Sequence, residues 1–193
     1  SSAASDVYKR QFLCSHLGNI NAMRTFFRSG TVIEDIKVNI FLEANQCSTF
    51  KNFINRISSD NPITAYPVEN IDLTTSIEIK DKLDRGEIVF MAGDRVSAQN
   101  ENRTYTADFL GKKAQFPLGT LKFALMMDVP VYFIVCVSEG KKYKVYTEKF
   151  VTDKSKRNEK LQELQLQYVK FLEKYALKYP YQFYNFFDLF EEE

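Results

Sequence analysis

The chain has 193 residues, enough for one domain with a sizeable core. Hydrophobic residues make up 45%, which excludes a disordered chain, and a net charge of +1 gives no global signal for nucleic acid. The three cysteines, Cys14, Cys47 and Cys136, are widely spaced and odd in number, which speaks against a disulfide framework and for a reducing compartment. No run of about 18 apolar residues is present, so no stretch reads as a membrane span.

Residues 1–11 are polar and aperiodic, resemble a cloning or adaptor scar, and are set apart from the fold. On that reading the domain covers 12–190, is truncated at its N-terminus, has lost any anchor before Phe12, and ends in an acidic tail, 191–193. The apolar run 12–15 predicts a buried strand. Gly18 and Asn19 then open a helix whose apolar positions are Ala22, Met23, Phe26 and Phe27. A β-branched strand is predicted over 37–42, a helical stripe at Phe50, Phe53, Ile54 and Ile57, and a turn over 58–62. A short helix follows over 75–85, with a capping-box pattern at Ser76 and Glu78.

Residues 87–92 (EIVFMA) predict a second buried strand, and polar 100–106 predicts a loop. Pro117 is expected to start a helix carrying Leu121, Phe123, Ala124 and Met127. Residues 129–137 and 142–147 predict strands joined by a hairpin turn at Glu139-Gly140. A long helix is predicted over 155–178, with Leu161, Leu164, Tyr168, Leu172 and Tyr175 on one face. Pro180 ends it, and a last aromatic helix is predicted over 182–190. This alternation predicts one α/β domain: a largely parallel central sheet flanked by helices, with an antiparallel hairpin at one edge.

His16 is the only histidine, so any imidazole chemistry within the chain falls to it, and a two-histidine metal site is excluded. It follows a predicted strand, where α/β sheets build their sites. Taken alone, a lone histidine there is more often a hydrogen-bonded strand cap than a catalytic group. Ser15 is adjacent and would point to the opposite face, so it is a poor nucleophile for His16. Cys14 would share the face of His16, but its apolar surroundings read as packing rather than as half of a dyad. Gly93, Asp94 and Arg95 form a turn after the second strand, suited either to phosphate or carboxylate recognition or to a local surface ion pair. Residues 109–119 put Gly111, Lys112, Lys113, Phe116 and Gly119 in a loop before a helix N-terminus, which attracts anions.

In this order the clusters resemble one family. His16-Leu17-Gly18-Asn19-Ile20-Asn21 resembles the histidine motif of the lysophospholipid acyltransferase superfamily, a histidine followed after four residues by an acid. Ser15 to Ile20 is similar to the branch that performs late acylations in lipid A biosynthesis. Gly93-Asp94-Arg95 resembles that branch's second motif. Phe109-x-Gly111-x-x-Ala114-x-Phe116-Pro117-x-Gly119 resembles its third. Pro130 matches a later short motif, and Tyr179-Pro180-Tyr181-Gln182-Phe183 resembles a terminal Tyr-Pro-x-Gln-Trp segment, with Phe183 where Trp is usual.

The resemblance implies a glycerolipid acyltransferase-like fold and an acyltransferase of bacterial type that needs no cofactor or metal. His16 would act as general base on a hydroxyl or amine of a lipid or glycolipid acceptor. The donor would be an acyl thioester of acyl carrier protein or of CoA. Gly93, Asp94, Arg95, Gly111, Lys112, Phe116 and Gly119 would bind substrate, and backbone N–H groups of the following helix would stabilise the oxyanion. It also implies a membrane surface as partner, no nucleic acid, and a place at the cytoplasmic face of the inner membrane through the missing anchor. The aromatic residues 179–190 fit either such an interface or the core. Position 21 departs from the pattern, because Asn21 can orient an imidazole but cannot stabilise its charge. Three readings stay open: a slow acyltransferase, one that recruits Glu34 or Asp94 instead, or a fold that binds lipid or acyl carrier without turnover.

Overall fold

The computed structural model describes residues 10–19, 37–49, 63–96, 103–186 and 188–190. Its strands are β1 (Arg10–Cys14), β2 (Val38–Leu42), β3 (Ile63–Pro67), β4 (Ile88–Ala92), β5 (Thr104–Phe109), β6 (Lys112–Pro117), β7 (Val131–Glu139) and β8 (Lys142–Lys149). The helices described from end to end are α1 (Leu73–Asp84), α2 (Leu118–Met126) and α3 (Arg157–Lys178). Residues 44–49 are also helical. The helix expected around Ala22 to Phe27, the stripe Phe50 to Ile57 and the turn 58–62 lie outside the described residues.

Six strands form one sheet in the order β3-β2-β4-β1-β7-β8. All neighbours are parallel except β7 and β8, which make the antiparallel edge. The sheet is buried on both faces. Leu13, Val89, Met91, Val131, Phe133 and Val135 pack beneath Ile79 and Leu83 of α1, Leu121 and Ala124 of α2, and Leu164, Tyr168 and Leu172 of α3. Phe12, Cys14, Ile40, Ile88, Phe90, Ile134 and Cys136 fill the other face, together with Cys47. Burial on both faces explains why these strands read as continuous apolar runs rather than as alternating ones. All three cysteines are buried, and none of them is in a disulfide.

Several boundaries differ from those expected. Strand β1 begins at Arg10, and the Gln11 side chain is buried, donating to the Ala124 carbonyl at 2.9 Å. Arg10 and Gln11 therefore belong to the fold rather than to the leader. Helix α1 starts at Leu73 because the Asp72 carboxylate accepts from the Thr75 N–H at 2.7 Å; the cap is Asp72, not Ser76. Pro117 is extended, with φ −69° and ψ 127°, and stands just before the first helical residue, Leu118, rather than opening the helix itself.

Two corrections concern segments that bear on the site. Thr104 to Thr106, expected in a loop, belong to β5. Likewise 109–119 is no loop: β5 and β6 pair as an antiparallel hairpin apart from the main sheet, and β6 runs directly into α2. Leu110 and Gly111 turn it with φ of 52° and 80°. The predicted helix 182–190 does not form. After one 3-10 turn (Pro180–Gln182) the described residues are not helical, and isolated bridges occur at Phe183 and Phe190. Their backbone groups serve neighbouring segments instead of a helical ladder: the carbonyl of Gln182 accepts from Gly18 and that of Leu189 from Gln115, while the Tyr184 N–H donates to the His16 carbonyl.

Candidate active site

Strands β1 and β4 lie side by side with Cys14 opposite Ala92. Two residues beyond each of these stand His16 and Asp94, at matching heights above the carboxyl edge of the sheet. The ladder runs on past the strands, since the Gly93 N–H donates to the Cys14 carbonyl at 3.0 Å. Parallel pairing thus brings together two side chains 78 residues apart. His16 Nδ1 is 3.0 Å from Asp94 Oδ1, and the backbone N–H of His16 donates to Asp94 Oδ2 at 2.8 Å. One carboxylate therefore fixes both the ring and the backbone of the same residue.

Asp94 is 0% exposed, whereas the His16 side chain keeps 27% of its surface open. An ionised carboxylate only accepts hydrogen bonds, so the ring nitrogen facing it carries the proton. That assigns the tautomer and leaves the Nε2 lone pair for a substrate proton. Among the described residues no hydrogen bond engages Nε2. A partly exposed imidazole backed by a buried carboxylate has the geometry of a general base held by an orienting group.

Two close approaches make this arrangement fit. Gly93 faces Tyr168 of α3; a Cβ at 93 would stand 3.0 Å from the Tyr168 ring. The Tyr168 hydroxyl donates to the Cys14 carbonyl at 2.8 Å, so the helix is pinned beneath the site. Burial, reinforced by the Asp94 charge, pushes that hydroxyl well above its ordinary pKa and keeps it a neutral donor. Gly18, at φ 79°, passes so close to β7 that a Cβ would lie 2.0 Å from the Cys136 carbonyl oxygen. The Asn19 N–H donates to that same oxygen at 2.6 Å.

The residues after α3 strap the histidine loop down. Gly18 N–H donates to the Gln182 carbonyl at 2.7 Å, Leu17 bridges Phe183, and Tyr184 N–H donates to the His16 carbonyl at 2.9 Å. Gln182 anchors the strap through its side chain: Oε1 accepts from the Ser138 N–H at 2.8 Å, and Nε2 donates to the Ser138 carbonyl at 2.9 Å. Upstream, the Tyr179 hydroxyl donates to Glu139 and meets the Tyr146 hydroxyl at 2.8 Å. These hydroxyls hold the Glu139 carboxyl below its ordinary pKa. Replacing Gln182 by Ala removes both bonds to Ser138 at a partly exposed edge, with an expected stability loss of about 1–2 kcal/mol, read as a lower urea midpoint.

The other sequence candidates fall in different places. The Arg95 guanidinium donates to the Tyr184 carbonyl and so ties the strap to the Asp94 turn. Thr120 Oγ1 donates to the Ala92 carbonyl at 3.3 Å, which brings the first turn of α2, with exposed Gly119, to the end of β4. Phe116 is 0% exposed and packs on Tyr105 and Phe109, which places it in the core beneath the β5–β6 hairpin. Gly111 and Lys112 sit at the tip of the β5–β6 hairpin, which the Leu110 N–H fastens to Glu173 of α3. Among the described residues no hydrogen bond or ion pair joins either of them to His16 or Asp94. Lys113 pairs with Asp108 at 2.8 Å on the surface, an exposed pair of little energetic weight.

No protein-family model matches the chain, and no curated protein matches its sequence. What the site can do therefore follows from its own geometry. Asn21 and Glu34 lie outside the described residues. Cys14 is buried in the second face of the sheet, and Ser15 Oγ accepts from the Leu17 N–H at 3.3 Å. Among the described residues no group of three or more His, Cys, Asp or Glu side chains is placed to hold a metal ion.

The sequence missed what Tyr168 and Gln182 do here. Tyr168 read only as part of an apolar helix face, and nothing local marks its hydroxyl. Gln182 had a signal, its place in the Tyr-Pro-x-Gln-Phe segment, but not the link from that segment to His16.

Proposed function

We propose that the protein transfers a fatty acyl group from an acyl thioester, of acyl carrier protein or CoA, to a hydroxyl or amine of a lipid or glycolipid acceptor. The observation that carries this reading is the His16–Asp94 pair, with Nδ1 bound to a fully buried carboxylate and the ring partly open to solvent. The ordered motifs that resemble the lysophospholipid acyltransferases support the choice of reaction. In the proposed step His16 Nε2 takes the proton of the acceptor group as its oxygen or nitrogen bonds to the thioester carbonyl carbon. The carbon–sulfur bond then breaks, and the imidazolium returns the proton to the leaving thiolate. Asp94 orients the ring and stabilises its transient positive charge. The first turn of α2, brought near by Thr120, offers backbone N–H groups to the carbonyl oxygen.

Asp94 supplies the carboxylate that Asn21 lacks, which favours turnover over binding alone. No helix among the described residues is long and apolar enough to cross a membrane. The reading has this domain work peripherally, at the cytoplasmic face of the inner membrane. The test is acceptor-dependent release of free thiol from acyl carrier protein or acyl-CoA. His16→Ala should lower that release by about 10²–10⁴-fold. A native rate no higher than that of the variant would refute the reading.

A further inference from the structure

Four aromatic side chains are well exposed among the described residues, and they share one end of the molecule. They are Tyr143, Tyr181, Tyr184 and Phe186, of which Tyr181 is 96% and Phe186 86% exposed. The topology explains why they cluster. Strands β1, β4 and β7 are parallel, so the turn after β7 stands at the same edge as His16 and Asp94. Helix α3 runs back to that edge, where Gln182 grips Ser138. Tyr143, just past the turn, touches the histidine loop, accepting from the Asn19 side chain at 3.1 Å. Tyr184 is bonded to the His16 carbonyl through its backbone, and its ring lies 6.5 Å from that of Phe186.

Charge is arranged around these rings. Lys141 and Lys142 are exposed at the β7–β8 turn and make no ion pair among the described residues. The neighbouring acid, Glu139, is engaged by Tyr179, Tyr146 and Lys144. The strap side carries exposed Asp188, so the positive pole of the rim is the turn and the apolar pole is the strap. Tyrosine and phenylalanine beside these lysines suit the headgroup level of a bilayer, where rings enter the interface and ammonium groups meet lipid phosphates.

We propose that this rim seats on an anionic lipid bilayer and so holds His16 Nε2 at the level of the headgroups. The choice of lipid as occupant rests on the lipid-acceptor reading above. Vesicle binding and thiol release are therefore measured separately, so that either can fail alone. The experiment is co-sedimentation of the full chain with vesicles of phosphatidylglycerol and phosphatidylcholine, and with phosphatidylcholine alone. Lys141→Glu/Lys142→Glu should weaken binding to the anionic vesicles by about tenfold or more, and Tyr181→Ser/Phe186→Ser should weaken binding to both kinds by a similar factor. Val151→Ser alters an exposed apolar residue after β8, away from this rim, and should leave binding within about twofold. The assignment is overturned if the native chain sediments with neither vesicle, or if both double variants bind as the native chain does. It is equally overturned if the lysines prove to bind an acidic acyl carrier protein while vesicles are ignored.

Discussion

Asp94→Asn should cut acceptor-dependent thiol release by about 10²–10⁴-fold while the chain still folds. The expectation comes from which atoms donate. In the native site both carboxylate oxygens accept, one from the His16 ring and one from its backbone. An amide has only one oxygen. If that oxygen keeps the backbone N–H, the amide nitrogen faces Nδ1 and donates to it. The ring is then driven to the tautomer with its proton on Nε2, which can no longer take a proton from an acceptor. The ring would also lose the negative charge behind it. Asn21→Asp provides the contrast. If Asp94 is the working partner, restoring an acid at 21 should change the rate by no more than a few-fold. Turnover that appears only in Asn21→Asp would make the native protein a binder.

Gly18→Ala is the second large effect, expected to cost about 3 kcal/mol or more and to abolish activity with it. Two penalties coincide there. The residue holds φ at 79°, which disfavours any side chain, and the added carbon would stand 2.0 Å from a backbone oxygen of β7. The obstacle is main chain in the middle of the sheet, so neither side can yield without moving the loop that carries His16. Gly111→Ala separates the two penalties. Its φ is 80°, but a Cβ there would meet nothing within 4 Å. It should cost only about 1 kcal/mol, from the backbone conformation alone. Urea midpoints of the two variants, compared with the native chain, test both figures. Equal losses would mean that contact with β7 contributes nothing.

The strand bearing His16 could be read from its apolar run, and the turn bearing Asp94 from the glycine after EIVFMA. Their pairing could not, because it follows from a register between two strands distant in sequence. No local pattern encodes which residue of β1 stands opposite Ala92. The misread segments share a related cause. Phe183, Tyr184, Phe186 and Phe190 fall at intervals compatible with a helix, yet backbone groups of this segment are claimed by the His16 loop and by β6. Thr104 to Thr106 read as loop because β5 pairs only with β6 and never joins the main sheet. A motif groups Phe116 and Lys112 by their order in the chain, whereas the hairpin sends one into the core and the other to its tip.

The strap has a consequence for how the molecule comes into being. Strands β1 and β4 can meet early in synthesis, but the carbonyls and N–H groups that clamp Leu17 and Gly18 belong to Gln182, Phe183 and Tyr184. A ribosome exposes those residues only after every strand of the main sheet. Until then the histidine would be tethered from one side only. The site thus carries its own check on completion: a chain cut short by a premature stop after α3 would retain His16 and Asp94 yet lack the clamp that sets the loop between them.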